Sequence, residues 1–223
     1  MARNVEIVIA EHPAQFVGER LADAARNGGH IVLTGGSTPR LAYQIAAEHQ
    51  QDWSATELWW TDERCVPADD DWSNYGMAKV ALLERVTPGK VHPMRGELGC
   101  DRGAELYEEE LGSLERFDFV LLGLGRDGHI ASLYPNEPTL DITDRRVVGA
   151  EANLEPYVDR ITLTLPPLRA AREVLFLVTG ADKADAAKRA FVGDPSRETP
   201  GSLVRSIRGT TTAVLDAAAA AKL

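Results

Sequence analysis

The chain has 223 residues, of which 44% are hydrophobic, and its formal net charge is -10. Such a composition supplies a substantial core and excludes an intrinsically disordered chain. The acidic excess, with no basic run, argues against a nucleic-acid partner. No stretch approaches the ~18 apolar residues of a membrane span. We therefore expect a cytoplasmic globular protein that binds neither nucleic acid nor a membrane.

Apolar runs and segments of helical periodicity alternate along the whole chain. No repeat, linker or low-complexity segment interrupts them, so we predict a mainly parallel sheet with helices on both faces. The predicted strands are residues 5–9, 31–33, 58–60, 91–94, 117–122, 147–148, 160–165, 174–178 and 210–215. The predicted helices are residues 13–27, 41–49, 73–83, 103–114, 181–191 and 216–222.

A glycine turn follows the second predicted strand. Gly35, Gly36, Ser37 and Thr38 form this turn, and Pro39 is expected at the first position of the next helix. Free backbone N–H groups and two hydroxyls then stand at the positive end of a helix, which suits a phosphate. The alternative is an ordinary capped turn, in which Ser37 or Thr38 serves only as the N-cap.

Polar residues follow the third predicted strand, which ends at Trp60. Ligands in open α/β sheets bind at the carboxyl ends of strands, so Asp62 and Arg64 are candidates for a site. Glu63 is instead expected in a solvated salt-bridge cluster. Asn74 lies at the start of the helix that follows.

The run from Phe117 to Leu122 is apolar throughout its length apart from Asp118, which predicts a central strand covered on both faces. Three glycines follow it, at positions 123, 125 and 128, and allow a tight turn from which Asp127 and His129 project. Because this turn lies at a strand's carboxyl end, His129 is the main candidate for a catalytic residue.

The same three glycines match the dinucleotide-binding spacing G-x-G-x-x-G, with Asp144 at the expected distance beyond them. A dinucleotide site also needs a full helix that starts at the third glycine. Pro135 and Pro138 limit any such helix to about two turns. We therefore expect no dinucleotide cofactor.

The last third of the chain contributes a further cationic candidate. Lys183 lies in the first turn of a predicted helix, where a cation opposes the helix dipole, so an anionic ligand is one explanation and a solvated lysine is the other. Pro166 and Pro167 are expected to close the strand before it, and residues 195–201 to form a mobile loop.

Cysteines and the remaining histidines give no sign of a metal site. Cys65 and Cys100 form the one pair available and lack metal-ligand spacing, so we expect buried reduced thiols. Four histidines have no polar constellation near them in the sequence and are interpreted as structural: His12, His30, His49 and His92.

Five segments in this order resemble the 6-phosphogluconolactonases of the pentose phosphate pathway, within a larger group that includes glucosamine-6-phosphate deaminases. They are Leu33–Pro39, Trp60–Arg64 with Ser73–Tyr75, Gly123–Pro135, Arg160–Thr164 and Gly180–Lys183. The resemblance implies a single domain over residues 1–223, with an α/β, three-layer Rossmann-like fold. It also implies no cofactor and no required metal.

The resemblance implies roles for the candidate residues. The substrate phosphate would lie among Gly35, Gly36, Ser37, Thr38, Arg160 and Lys183. The sugar acid would contact Asp62, Arg64 and Asn74. His129 would be the catalytic base, and the expected partner is a small-molecule sugar-phosphate lactone. The expected assembly is a monomer or a weak homodimer.

A δ-lactone is an activated ester, so its hydrolysis needs no covalent nucleophile. We expect His129 to take a proton from water as the water attacks C1 of 6-phospho-D-glucono-1,5-lactone. Asp127 or Asp62 would orient the imidazole, and the sequence does not choose between them. Ser132 lacks the G-x-S-x-G surroundings of a nucleophile elbow, which argues against serine esterase chemistry.

Two other functions would share parts of this pattern with the lactonase. A deaminase or isomerase would place a glutamate five residues after the histidine, where this chain has Tyr134, whereas Glu137 lies eight residues after His129. A non-catalytic sugar-phosphate sensor would need the phosphate donors without the pair of Asp62 and His129. Both comparisons favour the lactonase.

Overall fold

The computed structural model describes residues 5–152 and 155–223. Ten strands are present in these ranges: β1 (Glu6–Ile9), β2 (Gly29–Leu33), β3 (Asp52–Trp60), β4 (Asp62–Arg64), β5 (Thr87–Val91), β6 (Phe119–Leu122), β7 (Val147–Ala150), β8 (Arg160–Leu163), β9 (Glu173–Val178) and β10 (Thr210–Leu215). Seven of them form a parallel sheet in the order β1-β10-β9-β6-β2-β3-β5. The other three form an antiparallel sheet in the order β4-β8-β7.

Helices cover both faces of the parallel sheet. The α-helices of the described residues are α1 (Pro13–Asn27), α2 (Ser37–His49), α3 (Asn74–Ala78), α4 (Cys100–Leu111), α5 (Leu165–Ala170) and α6 (Ala184–Phe191). A π-helical turn, Lys79–Leu83, continues α3. Short 3-10 turns lie at Gly96–Leu98, Pro138–Asp141, Ala181–Lys183 and Pro200–Leu203. The predicted α/β fold with a mainly parallel sheet is therefore confirmed.

The alternation of side chains along the central strands divides the core into two halves. On β6, Phe119 and Leu121 pack with the residues of α1 and α2, whereas Val120 and Leu122 face the side of α4, α5 and α6. Each of these four residues is buried. A strand with apolar side chains on both faces has no solvent-facing side, which explains its continuous apolar run.

Three predicted elements are wrong in position or type. The strand predicted at 91–94 runs instead from Thr87 to Val91 at the sheet edge, where a proline is tolerated. Pro166 and Pro167 begin α5 rather than closing a strand, because the first helical turn has no need of their missing N–H groups. Residues 216–222 form turns and not a helix, and the Asp216 carboxylate accepts hydrogen bonds from the backbone N–H groups of Ala219 and Gly180.

The expectation of reduced cysteines is also wrong. Cys65 and Cys100 are joined by a disulfide, with their Cα atoms 5.7 Å apart, and both are partly rather than fully buried. They are 35 residues apart in the chain, so only tertiary folding brings them together. His92 is buried outside the candidate site, hydrogen-bonded to two glutamates and stacked on Trp59.

None of the helices in residues 5–152 and 155–223 has the length and apolar character that a bilayer crossing requires.

Candidate active site

A cavity of about 310 Å³ opens where the strand order reverses. The chain runs outward from β2 to β3 and β5, then returns to β6 on the other side of β2. The loops after β2 and β6 therefore diverge, which leaves a crevice at their carboxyl ends. The cavity is lined by Thr34 to Pro39, Asp62, Arg64, Asn74, Gly123 to Gly125, His129 to Ala131, Leu177 to Thr179 and Lys183.

The glycine turn presents its donors to this cavity. Gly36 is the N-cap of α2, with a φ of 114° that favours glycine, and no side chain caps the helix. Ser37 and Thr38 are therefore not used as N-caps, and their backbone N–H groups precede the first intrahelical bond. Pro39 is the third helical residue, whereas the sequence predicts it at the first position. This turn keeps free donors at a positive helix end.

Two residues after β9 complete the same region. The hydroxyl of Thr179 lies 3.0 Å from that of Thr38. Lys183 is half-buried in the 3-10 turn before α6, and burial lowers the pKa of its ammonium group. We call the Gly35–Thr38 turn, Thr179 and Lys183 the anion cradle. It combines backbone donors, hydroxyls and a cation around one part of the cavity.

His129 is paired with Asp127. Its Nδ1 lies 2.6 Å from Oδ1 of Asp127, and its backbone N–H donates to the same oxygen at 3.1 Å. Burial opposes ionisation of Asp127, but the hydrogen bonds that it accepts from the side chain and the backbone of His129 outweigh this effect and hold the pKa of Asp127 below its ordinary value. An ionised carboxylate accepts only, so Nδ1 carries the proton and Nε2 of the neutral ring is an acceptor.

The structure thereby chooses between the two aspartates that the sequence left open: Asp127, and not Asp62, hydrogen-bonds the imidazole. Among the described residues, no group forms a hydrogen bond with Nε2 of His129. The imidazole lines the cavity, so this acceptor is available to a bound molecule.

Gly125 is required by the position of this pair. A Cβ atom added to Gly125 would lie 2.1 Å from Nδ1 of His129 and 2.6 Å from Oδ1 of Asp127. Any side chain at this position would displace the hydrogen-bonded pair. The glycine spacing of the loop therefore serves the histidine, and no helix follows Gly128 at residues 129–137 that would cradle a dinucleotide.

Residues 195–201, predicted to be a mobile loop, contact the histidine loop. The backbone N–H of Gly201 donates to the carbonyl of Gly128 at 2.9 Å, and Arg189 donates to Thr199 at 3.1 Å. Thr199 is buried against Gly128, where an added Cβ would lie 2.7 Å from the threonine methyl carbon. This segment therefore supports the outer side of the histidine loop.

Asp62 is a buried carboxylate at the cavity wall, 7% exposed. Its Oδ1 accepts a hydrogen bond from the Thr61 hydroxyl at 2.9 Å, and its Oδ2 accepts one from the Ser132 hydroxyl at 2.8 Å. Among the described residues it forms no salt bridge. Two neutral hydroxyl donors hold the carboxylate in place and leave remaining lone pairs for a ligand.

Glu63 is not in a solvated salt-bridge cluster, contrary to our expectation. It is 2% exposed and accepts hydrogen bonds from the backbone N–H groups of Arg64, Asn74 and Tyr75 and from the Ser73 hydroxyl. Burial nevertheless raises the pKa of this carboxyl. Its role is to join β4 to the start of α3, since it binds both.

Arg64 and Asn74 reach the cavity from these two elements. Arg64 donates to the carbonyl of Trp72, and its buried Nε has no hydrogen-bond partner among the described residues. Asn74 donates from its amide to the carbonyl of Asp62 at 2.9 Å. A Cβ atom on Gly35 would lie 2.0 Å from the Asn74 amide oxygen, so the glycine turn and Asn74 are in direct contact.

The structure places Arg160 apart from the anion cradle. Its guanidinium donates to the carbonyls of Pro156 and Val158, and it is not among the residues that line the cavity. Burial lowers the pKa of this guanidinium, which lies near Tyr134, Arg64 and Asp62. The predicted contact with a phosphate at the Gly35–Thr38 turn does not follow from this placement.

Tyr134 occupies the position of the glutamate in a deaminase. Its ring centroid lies 5.1 Å from that of His129. Glu137 is outside the cavity lining, on the far side of Pro135, where Arg197 binds its backbone carbonyl. In residues 5–152 and 155–223, no group of three or more His, Cys, Asp or Glu is arranged to hold a metal ion.

Sequence reasoning missed three residues of this region. Thr179 belongs to the segment before Lys183, but a threonine at a strand end is common. Ser132 was considered only as a nucleophile. Glu63 carries no local sign of burial. In each case the role depends on a partner elsewhere in the chain. The partner is 141 residues away for Thr179, 70 for Ser132 and up to 12 for Glu63.

The fold is that of an open α/β protein, and its cavity lies at the topological switch point, where enzymes of this architecture bind small molecules. Residues 6–213 match the sequence profile of the family described as glucosamine-6-phosphate isomerases/6-phosphogluconolactonase. The chain belongs to this family.

Relatives within the family carry one of its two activities. The 6-phosphogluconolactonase of Mycobacterium leprae (strain TN) is 42% identical over 92% of this chain and 92% of its own length. A solved structure of 6-phosphogluconolactonase from Trypanosoma cruzi superposes with a TM-score of 0.87 at 29% identity, over 100% of this chain and 98% of its own. A monomeric glucosamine-6-phosphate deaminase has a TM-score of 0.84 at 20% identity over 99% and 100%, which shows the fold alone.

Proposed function

We propose that this chain hydrolyses 6-phospho-D-glucono-1,5-lactone to 6-phosphogluconate, a step of the pentose phosphate pathway, with His129 as the general base. The observation that carries the proposal is the pairing of His129 with Asp127 in a cavity that also contains an anion cradle. A proton acceptor and a phosphate site in one small cavity match a phosphorylated substrate whose reaction begins with water activation.

The reaction proceeds in two proton transfers. Nε2 of His129 takes a proton from water while the water oxygen attacks C1 of the lactone, which forms a tetrahedral oxyanion. The oxyanion collapses, the bond from C1 to the ring oxygen breaks, and the imidazolium returns its proton to that oxygen. Asp127 keeps the proton on Nδ1 and stabilises the imidazolium between the two transfers, since its lowered pKa keeps it ionised.

The phosphate binds at the anion cradle. Backbone N–H groups of Ser37 and Thr38, the Thr179 hydroxyl and the Lys183 ammonium are its donors. The net charge of -10 does not oppose this binding, because local donors act at short range and distant carboxylates are screened beyond ~10 Å. Arg160 was expected among these donors and is now assigned to the wall beside Tyr134 instead.

The sugar acid lies against Asp62, Arg64 and Asn74. The buried Nε of Arg64 supports this placement, because a buried donor without a protein partner calls for an acceptor on the ligand. The Asp62 carboxylate accepts from substrate hydroxyls, and its two hydroxyl donors fix its direction. Asp62 thus contacts the substrate from β4, and His129 contacts it from the loop after β6.

A direct comparison of two substrates tests the proposal. Purified protein should accelerate the loss of freshly made 6-phosphogluconolactone above its spontaneous hydrolysis, and should release no ammonia from glucosamine 6-phosphate. The reason is that Tyr134 stands at the sequence position of the deaminase glutamate, and Glu137 lies outside the cavity lining. Ammonia release at a rate comparable with lactone loss would overturn the proposal in favour of the deaminase.

We also propose that residues 1–223 form a single domain, that the enzyme works in the cytoplasm, and that it is a monomer or a weak homodimer. Cell fractionation and the sedimentation coefficient at several protein concentrations test the last two points. A stable oligomer at low concentration would contradict the last.

A further inference from the structure

Ser132 is a buried serine that the proposed reaction does not use. It lies three residues beyond His129 and is 1% exposed. Its hydroxyl donates a hydrogen bond to Oδ2 of Asp62 at 2.8 Å, although the two residues are 70 positions apart. A buried hydroxyl that already donates to a carboxylate is held by that contact, so its role concerns Asp62 rather than the substrate.

The backbone of Ser132 is anchored as well. Its N–H donates to the hydroxyl of Thr162 at 3.2 Å. Thr162 lies on β8, directly opposite Asp62 on β4 in the register of the antiparallel sheet. Ser132 therefore binds two neighbouring strand residues at once, and both contacts join the histidine loop to the antiparallel sheet.

One of the two residues between His129 and Ser132 has an unusual backbone conformation. Ala131 has a φ of 47°, in the left-handed region that non-glycine residues seldom adopt. Such a conformation is unfavourable for a residue with a side chain and persists where surrounding contacts determine it. Here the turn is closed by the Leu133 N–H, which donates to Ile130 at 2.8 Å, and by the two bonds of Ser132.

We propose that Ser132 is a positioning residue for the lactone hydrolysis. Its hydroxyl fixes the Asp62 carboxylate toward the cavity and holds the histidine loop against β4, so that Asp62 and His129 face the substrate from set positions. The inference rests on the proposed function. Misplacement of a substrate by about 1 Å can cost ~10²-fold in rate. One hydrogen bond that sets the position of the histidine loop relative to β4 therefore has a measurable effect.

The test compares Ser132→Ala with Ser206→Ala. Ser206 is equally buried, at 1% exposed, and its hydroxyl donates to the carbonyl of Ala171, away from the cavity lining. We expect Ser132→Ala to lower kcat/KM for 6-phosphogluconolactone about 10- to 100-fold, and Ser206→Ala to leave it within about twofold. The acid limb of the pH profile should stay in place, since Asp127 and not Ser132 contacts the imidazole.

A double-mutant cycle shows whether Ser132 acts through Asp62. In an Asp62→Ala background, which removes the acceptor of the Ser132 hydrogen bond, adding Ser132→Ala should change both kcat/KM and the Kd of 6-phosphogluconate by less than about twofold. The same loss in both backgrounds, or wild-type activity in Ser132→Ala, would overturn the inference. If Ser132→Ala does not fold, Ser132→Cys replaces the hydroxyl with a thiol of similar volume that is only a weak donor. Full activity in Ser132→Cys would also overturn the inference.

The two proposals fail in different ways. A wild-type protein that does not accelerate lactone loss overturns the proposed function. An active wild type with an unaffected Ser132→Ala variant overturns only the role of Ser132.

Discussion

The anion cradle and the histidine group, defined as His129, Asp127, Asp62 and Ser132, differ in how the chain builds them. The core of the cradle is one local unit: a strand, a glycine turn and the helix that follows, which together supply N–H groups at a positive helix end. The histidine group needs a loop and a strand, the histidine loop and β4, which are about 70 residues apart and are joined by the hydrogen bond from Ser132 to Asp62.

This difference separates affinity from chemistry. The cradle depends on donors whose positions are set by backbone geometry, so changes elsewhere should leave phosphate binding largely intact. The histidine group depends on tertiary contacts, so small displacements should reduce the rate while the phosphate still binds. Variants that affect only one of the two regions test this separation.

The largest effect should follow loss of the base. We expect His129→Ala to lower kcat by about 10² to 10⁴, the usual contribution of a general base. The Kd of 6-phosphogluconate, measured by calorimetry, should stay within a few-fold of wild type because the cradle is unchanged. A variant with kcat within about twofold of wild type would exclude His129 from the role.

The pH profile should show a single ionisation on its acid side. Only the neutral imidazole accepts a proton, so activity should fall about tenfold per pH unit below the pH at which the ring becomes protonated. Asp127 adds no second step there, because its pKa lies below its ordinary value and it remains ionised. Initial rates of lactone loss across this range, corrected for spontaneous hydrolysis, measure the slope. A slope of two would mean that a second group titrates with the histidine.

Among the substitutions, Gly125→Ala should have the next largest effect on activity. The added Cβ would overlap the hydrogen-bonded pair of His129 and Asp127, so we expect kcat to fall by about 10²-fold. Gly123→Ala is a matched control, because a Cβ there meets no atom within 4 Å. Wild-type activity in Gly125→Ala would show that the pair tolerates displacement.

Lys183→Ala should reduce affinity and leave the chemistry. Loss of a charged hydrogen bond of ~1.5 to 3 kcal/mol weakens 6-phosphogluconate binding by about 10- to 150-fold. Turnover of unphosphorylated gluconolactone should change little. Arg160→Ala should instead affect both substrates equally, since Arg160 lies beside Tyr134 and not in the cradle. A selective loss of phosphate affinity in Arg160→Ala would restore our original assignment.

The smallest effect should be that of Glu63→Gln. In Glu63→Gln the amide NH2 group would replace one carboxylate oxygen, and each oxygen now accepts two hydrogen bonds. The NH2 group would therefore face two donors, and β4 and α3 should separate slightly. We expect KM to rise by about five- to tenfold, with kcat nearly unchanged, and unfolding to become easier by ~1 to 3 kcal/mol. Glu105→Gln, at an exposed position on α4, is the control.

Titration of Glu63 gives that variant a second readout. Burial raises the pKa of Glu63 in the folded state, so its contribution to stability is present at low pH and is lost as pH rises through that pKa. Denaturation midpoints across this range should decline in the wild type more than in Glu63→Gln, which does not titrate there. Identical slopes would mean that the buried carboxyl does not determine this dependence.

The sequence predicted most of the sheet because buried parallel strands are recognisable locally. The run at Phe119–Leu122 has apolar residues on both faces, and β9 has the same pattern. The prediction was wrong where a residue's environment decides its role. Pro88 lies in an edge strand and Pro166 in a first helical turn, and both look like breakers when only the sequence is considered.

By itself, the sequence determined the parts of the site that adjoin one another in the chain. These are the glycine turn before α2, the loop that contains Asp127 and His129, and the polar residues after β3. Their backbone conformations follow from local residue types, chiefly glycine and the strand before each turn.

Which distant groups meet depends on how the whole chain packs. In the structure Ser132 hydrogen-bonds Asp62, Glu63 accepts hydrogen bonds at the start of α3, Arg160 lies outside the cavity lining, and Cys65 is joined to Cys100. Each of these contacts depends on how two separate segments pack against the sheet. A hydrogen bond or disulfide of this kind forms only where packing brings its two atoms within a few ångströms, and no local pattern encodes that distance.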